Sequence, residues 1–428
     1  MTAFQPTAIE VRIWNQRVGA VAADPNIGAY VFEYDPAWVR RGIELAPLMM
    51  PTQGQGLYTF PSLDQDAFKG LPGLLADALP DDFGNQLIDA WMASHGIDKG
   101  AVTTLDRLAY MGQRGMGALT FRPARGSARE SQQPLAMKHL VEEARRAIHA
   151  DLNDEEAAQA ALANIIRVGT SAGGARAKAV IAWHPETGEI RSGQFDVAPS
   201  WEHWLLKLDG VGKDLELGSG QDYGRIEYAY YLMATTAGIT MSPSRLLNEH
   251  DRCHFMTRRF DREGNQKVHV QTLCALQHLN YRQRATHAYE QLFMTAVRLG
   301  VPHAALTELF TRMVFNVVAR NHDDHTKNHA FMLRQGEAWI LAPAYDVTFA
   351  YNPQGEWTQR HLMSVNGKFD AITRQDLMTV ASRFSIAGAD AAIERVREAV
   401  SAWPDFANEA GLHQDEINRI GALHLTRM

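Results

Sequence analysis

Apolar and polar residues alternate along Ala8 to Trp14, break at Asn15-Gln16-Arg17 and resume over Val18 to Val21. This is the pattern of a β-hairpin, here inside a strand-rich stretch from Ile9 to about Tyr58. Gly70-Leu71-Pro72-Gly73 then punctuates the chain, and Leu87, Ile88, Trp91 and Met92 recur at the spacing of one helix face. A small α+β unit is expected to end near Phe121. From Arg122 to Pro134 there is almost nothing to bury, so the segment reads as a linker or exposed loop and marks a boundary. A helical pattern follows from about Leu135 to Ile166, and a glycine loop from Val168 to Lys178 then feeds a strand at Ala179 to Trp183. Trp204 to Leu208 makes a short strand carrying the single Lys207, and a helix from about Arg225 to Ala237 holds Glu227 near its start. Cys253 to Thr257 reads as a strand running into Arg258-Arg259-Phe260-Asp261-Arg262. Beyond roughly His287 amphipathic helices dominate, with Leu306, Leu309, Phe310, Met313, Val314 and Val317 on one face. The expected division is 1–125, 126–257 and 258–428.

Composition narrows the function classes. The 428 residues are 46% hydrophobic and 21% charged, enough for two or three cores. Lys and Arg total 42 against 49 Asp and Glu, and the net charge of −7 argues against a chain whose main task is wrapping nucleic acid. Two cysteines, Cys253 and Cys274, build neither a disulfide framework nor a Cys-based zinc site. No charged-then-apolar segment opens the chain at Met1 and no apolar run reaches about 18 residues, so a cytoplasmic protein with no membrane partner is expected. The nine tryptophans, Trp91, Trp183, Trp204 and Trp339 among them, are read as core.

Three segments carry candidate chemistry. Small residues from Ser171 to Lys178 would expose consecutive N–H groups to a phosphate, with Arg176 and Lys178 adding charge, although such a loop is more often a plain turn. Asn321 to His329 is a polar block directly after an apolar helix, and it admits three readings. It could be a helix terminus, or a two-histidine metal site using His325 and His329 at i and i+4. It could also be a phosphoryl-transfer loop, because Asp323 and Asn328 have the Asp-x-x-x-x-Asn spacing of a base and a magnesium ligand. The histidines are expected to orient neighbours rather than bind zinc, since no Cys and no third spaced ligand accompanies them. The following segment favours the third reading. Ala330 to Leu333 and Trp339 to Leu341 form a predicted hairpin that presents Asp346, where a kinase-like fold places its second metal-binding aspartate. Lys207 and Glu227 would supply the ion pair that lets a lysine meet nucleotide phosphates.

In order along the chain, Gly169 to Lys178, Trp204 to Leu208, Arg258 to Arg262, Asn321 to His329, Ala342 to Asp346 and Met363 to Lys368 resemble the HipA serine/threonine kinases of bacterial toxin–antitoxin systems. Leu79 to Gly84 and Leu108 to Leu119 look like that family's N-terminal domain. The resemblance implies an α+β, two-lobed protein-kinase-like fold with a strand-rich N-terminal domain and an all-helical C-terminal lobe. It implies ATP and Mg2+ as cofactors and a HipB-like helix-turn-helix antitoxin as partner, with DNA met only through that antitoxin. The implied substrate is a translation protein such as an aminoacyl-tRNA synthetase. Carried over, Asp323 is the base, Asn328 and Asp346 hold metal, and Lys207 pairs with phosphate while Glu227 holds it. Ala172, Gly173, Gly174, Ala175, Arg176 and Lys178 line the ATP phosphates, Arg258 and Phe260 form the hinge at adenine, and His325 joins the ATP site. Ser171 falls at the family's regulatory autophosphorylation site. Arg258 stands where an acidic residue is expected and Asp324 where a small one is. A catalytically silent binding module that co-regulates transcription and a small-molecule kinase are the alternatives.

Overall fold

The computed structural model describes residues 6–54, 56–80, 82–94, 96–124, 177–209, 222–249 and 252–428. The glycine-loop positions Ser171 to Arg176 and the predicted helix at Leu135 to Ile166 lie outside those residues.

Ile9, Val11 and Ile13 are fully buried along β1 (Ala8–Ile13), which is what period-two alternation dictates for a strand with one covered face. With β2 (Gln16–Asp24), β3 (Ala29–Tyr34), β4 (Leu57–Thr59) and β5 (Leu119–Arg122) it forms an antiparallel sheet in the order β4-β3-β2-β1-β5. The one-turn helices α1 (Pro36–Val39), α2 (Gln65–Phe68) and α3 (Gly73–Ala76) fall between β3 and β5, with the longer α4 (Asp82–Ser94) and α5 (Thr104–Met111). A reciprocal Thr103 and Asp106 capping box starts α5.

The second sheet, also antiparallel, runs β7-β6-β8-β10-β9. Its strands are β6 (Lys178–Trp183), β7 (Ile190–Ser192), β8 (Glu202–Lys207), β9 (Ser244–Glu249) and β10 (Arg252–Arg258). Every residue of β6 is buried, so this strand is covered on both faces. Helix α6 (Tyr223–Thr236) packs on β10 and β9. Gly224 permits this, because a Cβ there would lie 2.1 Å from the Cys253 carbonyl oxygen.

The hairpin β11 (Arg262–Glu263) and β12 (Gln266–Lys267) leads into the C-terminal lobe. There β13 (His269–Thr272) is followed by α7 (Leu273–Gln277), β14 (His287–Ala288), α8 (Tyr289–Arg298) and α9 (His303–Val318). Next come β15 (Ala330–Leu333), β16 (Ile340–Leu341) and β17 (Met363–Ser364). Helices α10 (Arg374–Arg383), α11 (Ala389–Ser401), α12 (Trp403–Glu409) and α13 (Gln414–Gly421) complete the lobe. The lobe is built on helices; its strands are short and form the β13-β15-β16 sheet and the β14-β17 pair.

One apolar cluster runs from Ile9 through Phe255's neighbour Met256 to Ile420, so the N-terminal domain and both lobes share a core. Polar contacts reinforce that union around Asp261. The buried Asp261 carboxylate accepts from Arg259 Nε at 2.8 Å and Nη2 at 2.7 Å, from Arg262 Nη1 at 2.8 Å and from the Gly117 amide at 2.7 Å. Arg262 also donates to the Gly117 carbonyl, Trp14 to the Lys267 carbonyl, and Lys267 to the Gln113 carbonyl.

The tryptophans correct one expectation. Trp38, Trp183, Trp204, Trp339 and Trp403 are buried, whereas Trp14, Trp91, Trp201 and Trp357 are only partly so. Trp201 carries the Arg191 guanidinium 4.3 Å from its ring centroid, and Trp357 that of Arg284 at 5.2 Å. Their rings serve as platforms for cations at the surface.

Candidate functional site

Lys207 and Lys178 are directly opposed partners on β8 and β6, which puts both side chains on one face of the sheet. Lys207 donates to both Glu227 Oε1 and Asp346 Oδ1, and Lys178 Nζ lies 3.8 Å from Asp346 Oδ2. Burial opposes the charge of Lys207, but Asp346 and Glu227 outweigh it and raise the ammonium above its ordinary value. Burial likewise opposes ionisation of Asp346, and Lys178 and Lys207 overcome it, holding this carboxyl well below the usual carboxylate range. Asp346 sits at φ +52, left-handed backbone that Asp tolerates better than most residues. The close approach at Gly224 seats α6 so that Glu227, three residues on, meets Lys207.

Below these residues the chain leaves α9 and enters the polar block. Asn328 closes a short 3-10 turn, Thr326–Asn328, and its Nδ2 donates to the Asp323 carbonyl at 2.7 Å. The Asp323 carboxylate is 47% exposed, with His325 Nε2 3.8 Å from its Oδ1. Asp324 is the reverse: fully buried, it accepts from Tyr289 Oη, His361 Nδ1 and the Leu362 amide, each at 2.8 Å. Burial would raise its carboxyl, yet His361 and those hydrogen bonds leave it below the ordinary value. Asp324, standing where the family pattern has a small residue, therefore anchors the loop to residues 361–363. His322 is buried, its Nδ1 3.0 Å from the Thr358 carbonyl, and burial pushes its pKa down to about 2. His329 is buried against the Tyr289 ring and pushed down to about 4, chiefly by desolvation. The helix on which His325 and His329 would share a metal does not form, since a single 3-10 turn separates them.

One cleft joins these parts. Lys178, Lys207, Glu227, Asn328 and Asp346 line it together with Ser242, Thr257, Arg258, Phe260 and Tyr345. Counted out to its mouth the space is about 1160 Å3. Phe260 and Tyr345 stack at 5.8 Å, and Arg258 Nη1 lies 3.3 Å from Glu202. His325 is placed beside Asp323 and the Tyr281 ring instead of on the cleft wall. Sequence reasoning missed the wall supplied by the N-terminal domain: Leu74, Asp77, Ala78, Met116 and Leu119. The signal was the glycine spacing at Gly112, Gly115 and Gly117 around Met116. Gly117 has φ +74, and a Cβ on it would meet the Val270 amide nitrogen at 3.2 Å. Among the described residues no helix is long and apolar enough to cross a membrane.

Residues 9–122 match the model of the HipA N-terminal domain, and residues 170–403 that of the HipA-like C-terminal domain. Among solved structures the chain is similar to HipA of Shewanella oneidensis MR-1, determined with HipB and its operator DNA. Identity is 17%, 98% of this chain and 96% of that one are covered, and the TM-score is 0.66, a likeness of fold. The Helicobacter pylori proinflammatory kinase CtkA aligns at 10% identity over 59% of this chain and 90% of that one, with a TM-score of 0.37. No curated protein matches. With the C-terminal model alone spanning more than half of its residues, and the N-terminal model most of what precedes them, the chain belongs to the HipA family.

Proposed function

We propose that this chain is an ATP- and Mg2+-dependent serine/threonine protein kinase acting as the toxin of a toxin–antitoxin pair. The observation that carries the reading is the convergence of Lys207, Glu227, Asp346 and Asn328 on one cleft, with the Asp323 backbone carbonyl held by the Asn328 side chain. The donor set suits the cofactors: a carboxylate and an amide oxygen are what a hard divalent cation takes, and two ammoniums beside them match polyphosphate. The metal ion, when bound, would supply positive charge that offsets the charge developing on the nucleotide phosphates. Asp346 and Asn328 would hold the metal, and Asp346 would exchange its bond to Lys207 for that role. Lys207, kept in place by Glu227, would turn to the phosphates with Lys178 beside it. Asp323, open to solvent, would orient a serine or threonine hydroxyl and accept its proton. Phe260 and Tyr345 offer apolar surface for a purine.

Ser171 is proposed as an autophosphorylation site whose added charge would oppose ATP in the same loop. The partner proposed is a HipB-like antitoxin, as in the Shewanella complex, and the substrate a translation protein such as an aminoacyl-tRNA synthetase. Presence of Lys207, Asp323, Asn328 and Asp346 together favours catalysis over a silent binding module. The test is phosphate transfer from labelled ATP with Mg2+ in a cell extract by wild type and Asp323→Gln. Transfer is expected to vanish in the variant while ATP still binds; equal turnover would overturn the assignment.

A further inference from the structure

The N-terminal domain reaches the catalytic loop through a short relay of backbone-level contacts. Helix α3 lies so close to α7 that a Cβ on Gly73 would sit 2.2 Å from the Ala275 carbonyl oxygen. The Gly73 amide also donates to His278 Nε2 at 3.0 Å. One residue past α3, Asp77 accepts from the Thr272 amide at 2.7 Å and from Thr272 Oγ1 at 2.9 Å. Thr272 is the N-cap of α7. The next residue, Leu273, donates its amide to the His329 carbonyl at 2.7 Å, and Thr326 Oγ1 donates to the Leu279 carbonyl at 3.0 Å. The two ends of the segment from Thr326 to His329 are thus tied to the first residue of α7 and to a residue just past its C-terminus, and Asp77 holds the N-cap of that helix.

A charge completes the relay. Lys327, inside that segment and next to Asn328, lines the cleft together with Asp77. Its Nζ lies 4.6 Å from the centroid of the Tyr281 ring, whose edge also meets His325. Tyr345 donates to the Lys327 carbonyl at 2.6 Å, fixing the backbone of this residue one position from a proposed metal ligand. The Asp77 carboxylate and the Lys327 ammonium attract one another across the cleft wall, and burial of Asp77 raises its carboxyl against that attraction.

Resting on the kinase reading for its activity arm, we propose that Asp77 of the N-terminal domain is a positioning residue for the catalytic loop. It acts through Thr272 on the loop's backbone and through Lys327, which lines the same cleft, on the charge beside Asn328. A transfer loop misplaced by about 1 Å loses roughly a hundredfold in rate. The N-terminal domain is then a working part of the phosphotransfer site.

Two readouts test this on the full-length chain. In hydrogen exchange, Asp77→Ala should speed exchange in peptides covering 273–281 and 321–333 and leave 389–421 unchanged. Unchanged exchange at 321–333 would overturn the proposal whether or not the protein is a kinase. In steady-state transfer, Asp77→Ala and Lys327→Met should each lower kcat tenfold to a hundredfold with KM for ATP within twofold, and Lys327→Arg should recover part of the loss. A purely structural Asp77 would instead lower the melting temperature while each folded molecule keeps its kcat, and that too would overturn the proposal. Absence of transfer by wild type would sink the kinase reading alone, leaving the exchange arm to decide.

Discussion

Asp261→Asn tests the hinge clamp with a nearly isosteric change. The wild-type carboxylate takes four donors, from Arg259 twice, from Arg262 and from the Gly117 amide. It is fully buried, and the two guanidinium side chains are 1% and 7% exposed. With the charge removed, two cations face each other across a neutral amide whose NH2 group has no acceptor among them. Breaking a buried ion pair from one side costs about 3–5 kcal/mol. At about 1.4 kcal/mol per decade that is roughly a hundredfold to several thousandfold in the unfolding equilibrium. Denaturant titration of the two proteins, followed by circular dichroism and tryptophan fluorescence, reads the difference. The dependence on pH is a second check. Burial opposes ionisation of Asp261, but Arg259 and Arg262 hold the carboxyl far below an unfolded aspartate, near 3.9. Stabilisation from a depressed carboxyl is complete above the unfolded value and is lost as pH falls below it, so wild type and variant should converge only in strong acid. A loss under about 1 kcal/mol at neutral pH would refute the reasoning.

Asp346→Asn should weaken ADP binding at least tenfold when Mg2+ is present and much less in EDTA, as read by calorimetry; equal losses in both would argue against a metal role. His269, His278, His329 and His424 are each pushed down to about 4 by burial, while unfolded histidines titrate near 6.5. The unfolded chain therefore binds more protons across that window, and melting temperature should fall steadily from pH 7 to 5; a flat profile would contradict the burial of these rings. With a net charge of −7, the isolated chain should shift DNA from its own upstream region poorly, and only together with the neighbouring gene product if that is the antitoxin. Tight binding by this chain alone would refute the division of labour.

Local pattern revealed the elements that position the site. The alternation at Ala8 to Trp14 became β1, the run at Ala179 to Trp183 became most of β6, and the spacing at Leu306 to Val317 became α9. The Asp-x-x-x-x-Asn spacing was legible because both residues lie on one short loop, where sequence distance limits spatial distance. Two things were not. The bond from Lys207 to Asp346 spans 139 positions and was not foreseen, since no periodicity encodes it and motif order pairs Lys207 with Glu227 alone. The contribution of Asp77 had no local signal and that of Met116 only the glycines around it, because docking to another domain is what gives both segments their meaning. Asp324 was misleading for a related reason. A second carboxylate beside the proposed base looks like a disturbance until Tyr289, His361 and the Leu362 amide are seen to consume it.

Gly224 limits how such a site can be turned off. Protein kinases are commonly governed by swinging the glutamate-bearing helix away from the lysine, which breaks the ion pair. Here that helix begins with its backbone against β10, leaving no room for even one added carbon between them. Rotation about that end would drive Gly224 into the Cys253 carbonyl or strip α6 from the sheet whose core it completes with Ile226, Ala229 and Tyr230. The pair is built as a fixture. On the proposed kinase reading, an inhibitor of this protein gains little by pulling on α6 and must obstruct the nucleotide, the acceptor or the approach of the two lobes.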